Sequence, residues 1–124
     1  MNTTSITYKE TYIEVISKGS KNLESATHLW KKIVATCQEH DCYKILGLAQ
    51  SENRFSTSDT HAHAEMFRSL GIDKKYKIAW AETNQDALQQ FNVMESILQS
   101  YGFINTQVFD NPINAKNWLL NDDT

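Results

Sequence analysis

The stretch Tyr43-Lys-Ile-Leu-Gly-Leu-Ala49 decides how this chain is read. It is short, mostly apolar and bounded by polar residues, which suits a strand buried on both faces. A second run of the same kind, Tyr76-Lys-Ile-Ala-Trp-Ala-Glu82, follows one helix length downstream. Two such runs with an amphipathic segment between them predict neighbouring parallel strands joined by a helical crossover.

Upstream of the first run, Asn22 is a candidate N-cap for a helix with Leu23, Ala26, Leu29, Trp30, Ile33, Val34 and Cys37 on one face, ending at His40-Asp41. Before it, Ile6 to Glu10 and Tyr12 to Ser17 read as two short strands, the second with a period of two; Gly19 to Asn22 is a loop. Downstream come a polar loop, Gln50 to Ser58, and a helix from about Asp59 to Leu70, with Gly71 in the left-handed position that ends helices. Asn84 caps a further helix carrying Ala87, Leu88, Phe91, Met94, Ile97, Leu98 and Tyr101, closed by Gly102. Thr106 to Phe109 is a short strand. Asn111-Pro112 starts a last helix with Ala115, Trp118 and Leu119 on its apolar face, and the tail from about 120 to 124 is expected to fray. The order β-β-α-β-α-β-α-β-α predicts one α/β domain over residues 1–124. Its mainly parallel sheet has about five strands, an N-terminal antiparallel edge and four helices.

Composition agrees with a folded domain: 124 residues, 40% apolar and 22% charged, with few Gly and Pro. A net charge of −3 gives no electrostatic case for nucleic acid or for an anionic membrane. The opening residues lack a basic segment followed by an apolar core, so no signal peptide is expected, and no run of about 18 apolar residues predicts a membrane span. Two cysteines in such a domain suggest free thiols in a cytoplasmic setting.

The hairpin, the strand Tyr43–Ala49, a loop ending in Phe55, the run Lys77-Ile-Ala-Trp-Ala81, and the closing Val108-Phe-Asp-Asn-Pro-Ile-Asn-Ala-Lys-Asn-Trp-Leu-Leu120 together resemble the small stand-alone STAS-like proteins, relatives of the anti-sigma-factor antagonists. The resemblance covers nearly the whole chain as a pattern of elements. It implies the fold, a cytoplasmic location, no cofactor, and binding of a protein partner or an apolar small molecule. The phosphorylatable Asp-x-Ser segment of the switching antagonists is absent from the connection Gln50 to Asp59, so the switch role does not carry over.

The densest polar stretch is Ser56-Thr-Ser-Asp-Thr-His-Ala-His-Ala-Glu-Met-Phe67. On a helix His61 and His63 point about 200° apart and cannot share an ion. His61 and Glu65 share a face, but two ligands are too few for zinc. Both histidines are read as surface or partly buried groups. A phosphate on Ser56, Thr57 or Ser58 would meet a helix N-terminus and Arg54. Glu52 and Asp59 already place negative charge there, and the preferred reading is that Ser56 or Ser58 is the N-cap. Cys37-x-x-His40-x-Cys42 would need His28 as a fourth zinc ligand, about 13 Å of helix rise away, so packing roles are preferred.

No nucleophile elbow, P-loop or dinucleotide fingerprint occurs. Glu52, Asp59, Glu65 and Glu82 are expected near the edge where parallel strands end. There they could act as acid–base pairs, though solvated loop charge is the simpler reading. Trp30, Trp80 and Trp118 are expected in the core or lining a pocket. The working surface is therefore expected around Glu52, Arg54, Phe55, Ser56, Ser58, Asp59 and His61, in a non-enzymatic binding domain. The alternatives are a small enzyme using those acids or His61, and a structural homodimer joined through an uncovered helix face.

Overall fold

Side-chain parity along the strands divides the molecule into two unequal halves. The computed structural model describes residues 2–20, 22–53, 55–103 and 105–121. Among them the elements run β1 (Thr3–Tyr8), β2 (Ile13–Gly19), α1 (Leu23–His40), β3 (Lys44–Ser51), α2 (Thr57–Ser69), β4 (Lys77–Glu82), α3 (Gln85–Ser100), β5 (Thr106–Phe109) and α4 (Pro112–Leu120). The sheet order is β1-β2-β3-β4-β5; β1 is antiparallel to β2 and the remaining pairs are parallel. Each parallel crossover advances the sheet by one strand in the same direction. With the usual right-handed connection, that sends α1, α2 and α3 to one face. The short α4 folds onto the other, against Leu46, Ala79 and Ala81.

The register lines up Ile6, Val15, Gly47, Trp80 and Val108 as one row beneath α1–α3. Gly47 is required in that row, because a Cβ there would stand 2.0 Å from Trp80 Cε3. The indole lies across β3, and only a residue without a side chain lets it do so.

Local signals set the helix ends. Asn22 and Ser25 form a capping box at α1, and Asp41 closes that helix in the left-handed conformation with φ 49°. Ser56, Asn84 and Asn111 cap α2, α3 and α4 by accepting backbone N–H bonds. The expected first strand is displaced: it spans Thr3–Tyr8 rather than Ile6–Glu10. Glu10 takes φ 70° in the turn, where Tyr8 Oη donates to its carbonyl at 2.8 Å. As an edge strand β1 is almost wholly exposed, so it lacks the apolar alternation by which strands are recognised, and its β-branched residues are the signal that remains. Of the tail expected to fray, Leu120 is helical, and residues 122–124 lie outside the described residues. No helix among the described residues is long and apolar enough to cross a membrane.

Candidate functional site

Large aromatic side chains keep α1–α3 propped above the sheet. Trp30 of α1 meets Phe67 of α2 at 4.6 Å and Trp80 of β4 at 5.5 Å between ring centroids. Phe55, just before α2, stands edge-on to Phe91 of α3 at 5.9 Å. Rigid planar rings meeting at such angles do not tile the interface completely. A cavity of about 70 Å³ remains, walled by these rings with Met94 and Leu98 of α3. Its exposed lining residues, Asn2, Thr4, Lys18 and Ser20, mark a polar mouth at the ends of β1 and β2. Asn2 Oδ1 accepts from the Ser20 backbone N–H at 2.8 Å and ties that rim together.

Away from the mouth, the polar residues that line this interior are Ser17, Ser25, His63, Glu95 and Thr106. His63 lines the cavity and is only 3% exposed. Its Nδ1 lies 2.7 Å from the Asp59 carbonyl oxygen. A carbonyl can only accept, so Nδ1 carries the proton. The neutral ring therefore keeps a lone pair on Nε2, on the edge turned away from the α2 backbone, and no described residue pairs with it. Burial holds the imidazole below its ordinary 6.5, against the opposing pull of the Asp59 carbonyl and carboxylate. Trp80 Nε1–H, in the same wall, is buried without a hydrogen-bond partner among the described residues. Glu95 is half-buried, and its Oε2 accepts from the Val108 backbone N–H at 2.6 Å.

The residues expected to form a working surface separate into different roles. Phe55 is turned inward, 7% exposed, with its ring edge-on to His63 at 4.7 Å. Ser56 is the N-cap of α2, accepting from the Asp59 backbone N–H at 3.0 Å; Ser58 is exposed in the first turn. Asp59 Oδ2 accepts from the Leu23 backbone N–H at 3.0 Å, so it satisfies the first amide of α1 and fastens α2 to that helix's positive end. Glu52 accepts from Ser20 Oγ at 3.3 Å at the cavity rim. His61 is exposed on the outer side of α2, and Glu65 pairs with Arg68 at 3.4 Å on the surface. Arg54 lies outside the described residues.

Two expectations are corrected. Glu82 is not solvated loop charge: it is fully buried at the end of β4. Its carboxylate accepts from the Ser51 backbone N–H at 3.1 Å, from the Asn84 backbone N–H at 2.9 Å and from Ser51 Oγ. It therefore pins the end of β3 to the start of α3. His63 is interior rather than a surface or half-buried group. Thr60, His63, Ala64 and Phe67 follow helical spacing and are all buried, so periodicity alone is enough to place this histidine. Its polarity hides it.

The Cys37 thiol is a poor nucleophile or ligand. Burial first, then the neighbouring Cys42, pushes the Cys37 thiol from 9.0 up to about 12. Among the described residues, no group of three or more His, Cys, Asp or Glu side chains stands close enough together to hold a metal ion.

No protein-family model and no curated protein matches this chain. Among solved structures it is similar to an uncharacterized protein of the DUF3478 family with a SpoIIAA-like fold from Shewanella loihica PV-4. The two share 16% sequence identity over 95% of this chain and 93% of that one, with a TM-score of 0.50. At that identity the likeness is one of fold. The chain thus has a SpoIIAA-like α/β fold, in agreement with the STAS-like resemblance of its strand and helix order.

Proposed function

We propose that this chain is a non-enzymatic binding domain that takes a small apolar molecule into the cavity between α1–α3 and the sheet. The observation that carries this reading is the cavity itself: a pre-formed space walled by Trp30, Phe55, Phe67, Trp80 and Phe91, whose lining surface is mostly apolar. Two further observations support binding over catalysis and over protein docking at residues 50–59. Two of the four acids expected to do acid–base work are engaged in holding the fold, Glu82 through three donors and Asp59 through the end of α1. Phe55, the aromatic a docking loop would present, is buried.

Toluene is a suitable first probe, because its ring matches the walls and it has no polar group. Titration should quench or shift the fluorescence of the cavity-lining Trp30 and Trp80 saturably, at one molecule per chain, and should raise Tm. Met94→Trp, which fills the space, should abolish both responses. Unsaturable responses up to the solubility limit of toluene would refute the proposal.

A further inference from the structure

We infer that the cavity prefers ligands bearing a neutral hydrogen-bond donor, the phenol class above all, and that His63 Nε2 is the group that recognises the donor. This deepens the binding proposal and rests on it. The geometry is specific about the direction of the hydrogen bond. Nδ1 is committed as a donor to the Asp59 carbonyl at 2.7 Å, which leaves Nε2 able only to accept. His63 is almost completely buried, lines the cavity, and has Phe55 edge-on to its ring, so an acceptor with no partner among the described residues sits in a mostly apolar wall. A ligand with no donor would dehydrate that acceptor without replacing its bond, whereas a hydroxylated ligand restores it.

The wall of Trp80 points to the same class. Its Nε1–H is buried without a partner among the described residues, so this wall too offers a polar atom that a small hydroxyl would satisfy if it came within reach. Charged ligands fit less well. Among the described residues the lining charges are Lys18, exposed at the mouth, and Glu95, whose carboxylate already binds the Val108 N–H. A ligand carboxylate inside would face Glu95 with no buried cation among the described residues to pair with it. An ammonium would lose its water to gain one neutral imidazole and a carboxylate already in use. Size sets an upper bound: about 70 Å³ admits no more than one small ring.

The test compares toluene, p-cresol, benzoate and benzylamine on the full chain at neutral pH. p-Cresol should bind roughly fivefold or more tightly than toluene, the worth of one good hydrogen bond, and both charged analogues more weakly than p-cresol. Titration with p-cresol should shift the His63 Nε2 resonance in 15N NMR, and toluene should leave it nearly unmoved. His63→Phe should bring the ratio of p-cresol to toluene affinity down to about one. The NMR measurement uses the wild-type chain, so it decides the matter even if the variant fails to fold. Saturable toluene binding without a p-cresol preference, or a stationary Nε2 signal, overturns this inference and leaves the binding proposal standing. Failure of all four probes to bind overturns both.

Discussion

The two faces of the sheet are made by alternate residues of the same strands, yet they pack in opposite ways. On β4, Ala79 and Ala81 face α4, while Ile78 and Trp80 face α1–α3. Small side chains let α4 settle directly on the sheet, and Ala115 and Leu119 lose all exposure there. Across the sheet, Trp30, Phe67, Trp80 and Phe91 hold three helices away from the strands. The same burial that stabilises this half leaves space between rigid rings. Side-chain size at alternate positions thus separates a sealed half from a receptive one, with no change of backbone.

The largest expected effect comes from opening the sealed face. Leu119→Ala removes a fully buried side chain from a closely packed site, and urea denaturation should show a loss of about 3–5 kcal/mol. A loss below about 1 kcal/mol would mean that α4 adjusts freely and the face is not sealed. Next is Gly47→Ala on the receptive face. The added methyl must displace the Trp80 indole, which should cost about 1–3 kcal/mol and shift the tryptophan emission.

A matched pair of insertions sharpens the contrast further. Ala115→Leu should destabilise by about 1–3 kcal/mol, because α4 has no spare volume. Ala26→Leu, directed into the cavity wall, should leave stability within about 1 kcal/mol of wild type and weaken toluene binding. Equal penalties at the two sites would remove the distinction between the faces.

The smallest effect is a pH dependence. The folded-state pKa of His63 is lowered by burial, so below 6.5 the unfolded chain takes up a proton that the folded chain resists. The contribution of His63 to stability is therefore complete above 6.5 and is lost as pH falls through the lowered folded value. Chemical denaturation from neutral pH downward should show this slope, and His63→Phe should flatten it. An unchanged slope in the variant would place the titrating group elsewhere.

Most of the architecture is legible in the sequence. Asn22, Ser56, Asn84 and Asn111 announce helix starts through their own side chains, and the runs 43–49 and 76–82 announce buried strands through length and apolarity. The edge strand β1 is harder to place, because an exposed strand carries no apolar alternation. The site is less legible still. Phe55 and Asp59 stand out in a polar loop and at a helix start, but their roles are a cavity wall and the cap of another helix. Those roles depend on distant partners, 36 residues away in the case of Leu23 and Asp59.

The sequence by itself determined the elements, their order and their ends, because helix and strand follow from spacing and capping within a few residues. The tertiary structure decided what each side chain meets. Trp80 lies across Gly47, Glu82 holds Ser51 and Asn84, and His63 lines a ring-walled space, because the sheet register and three same-sided crossovers bring distant residues together. Local periodicity carries no information about those meetings, and the cavity exists only because of them.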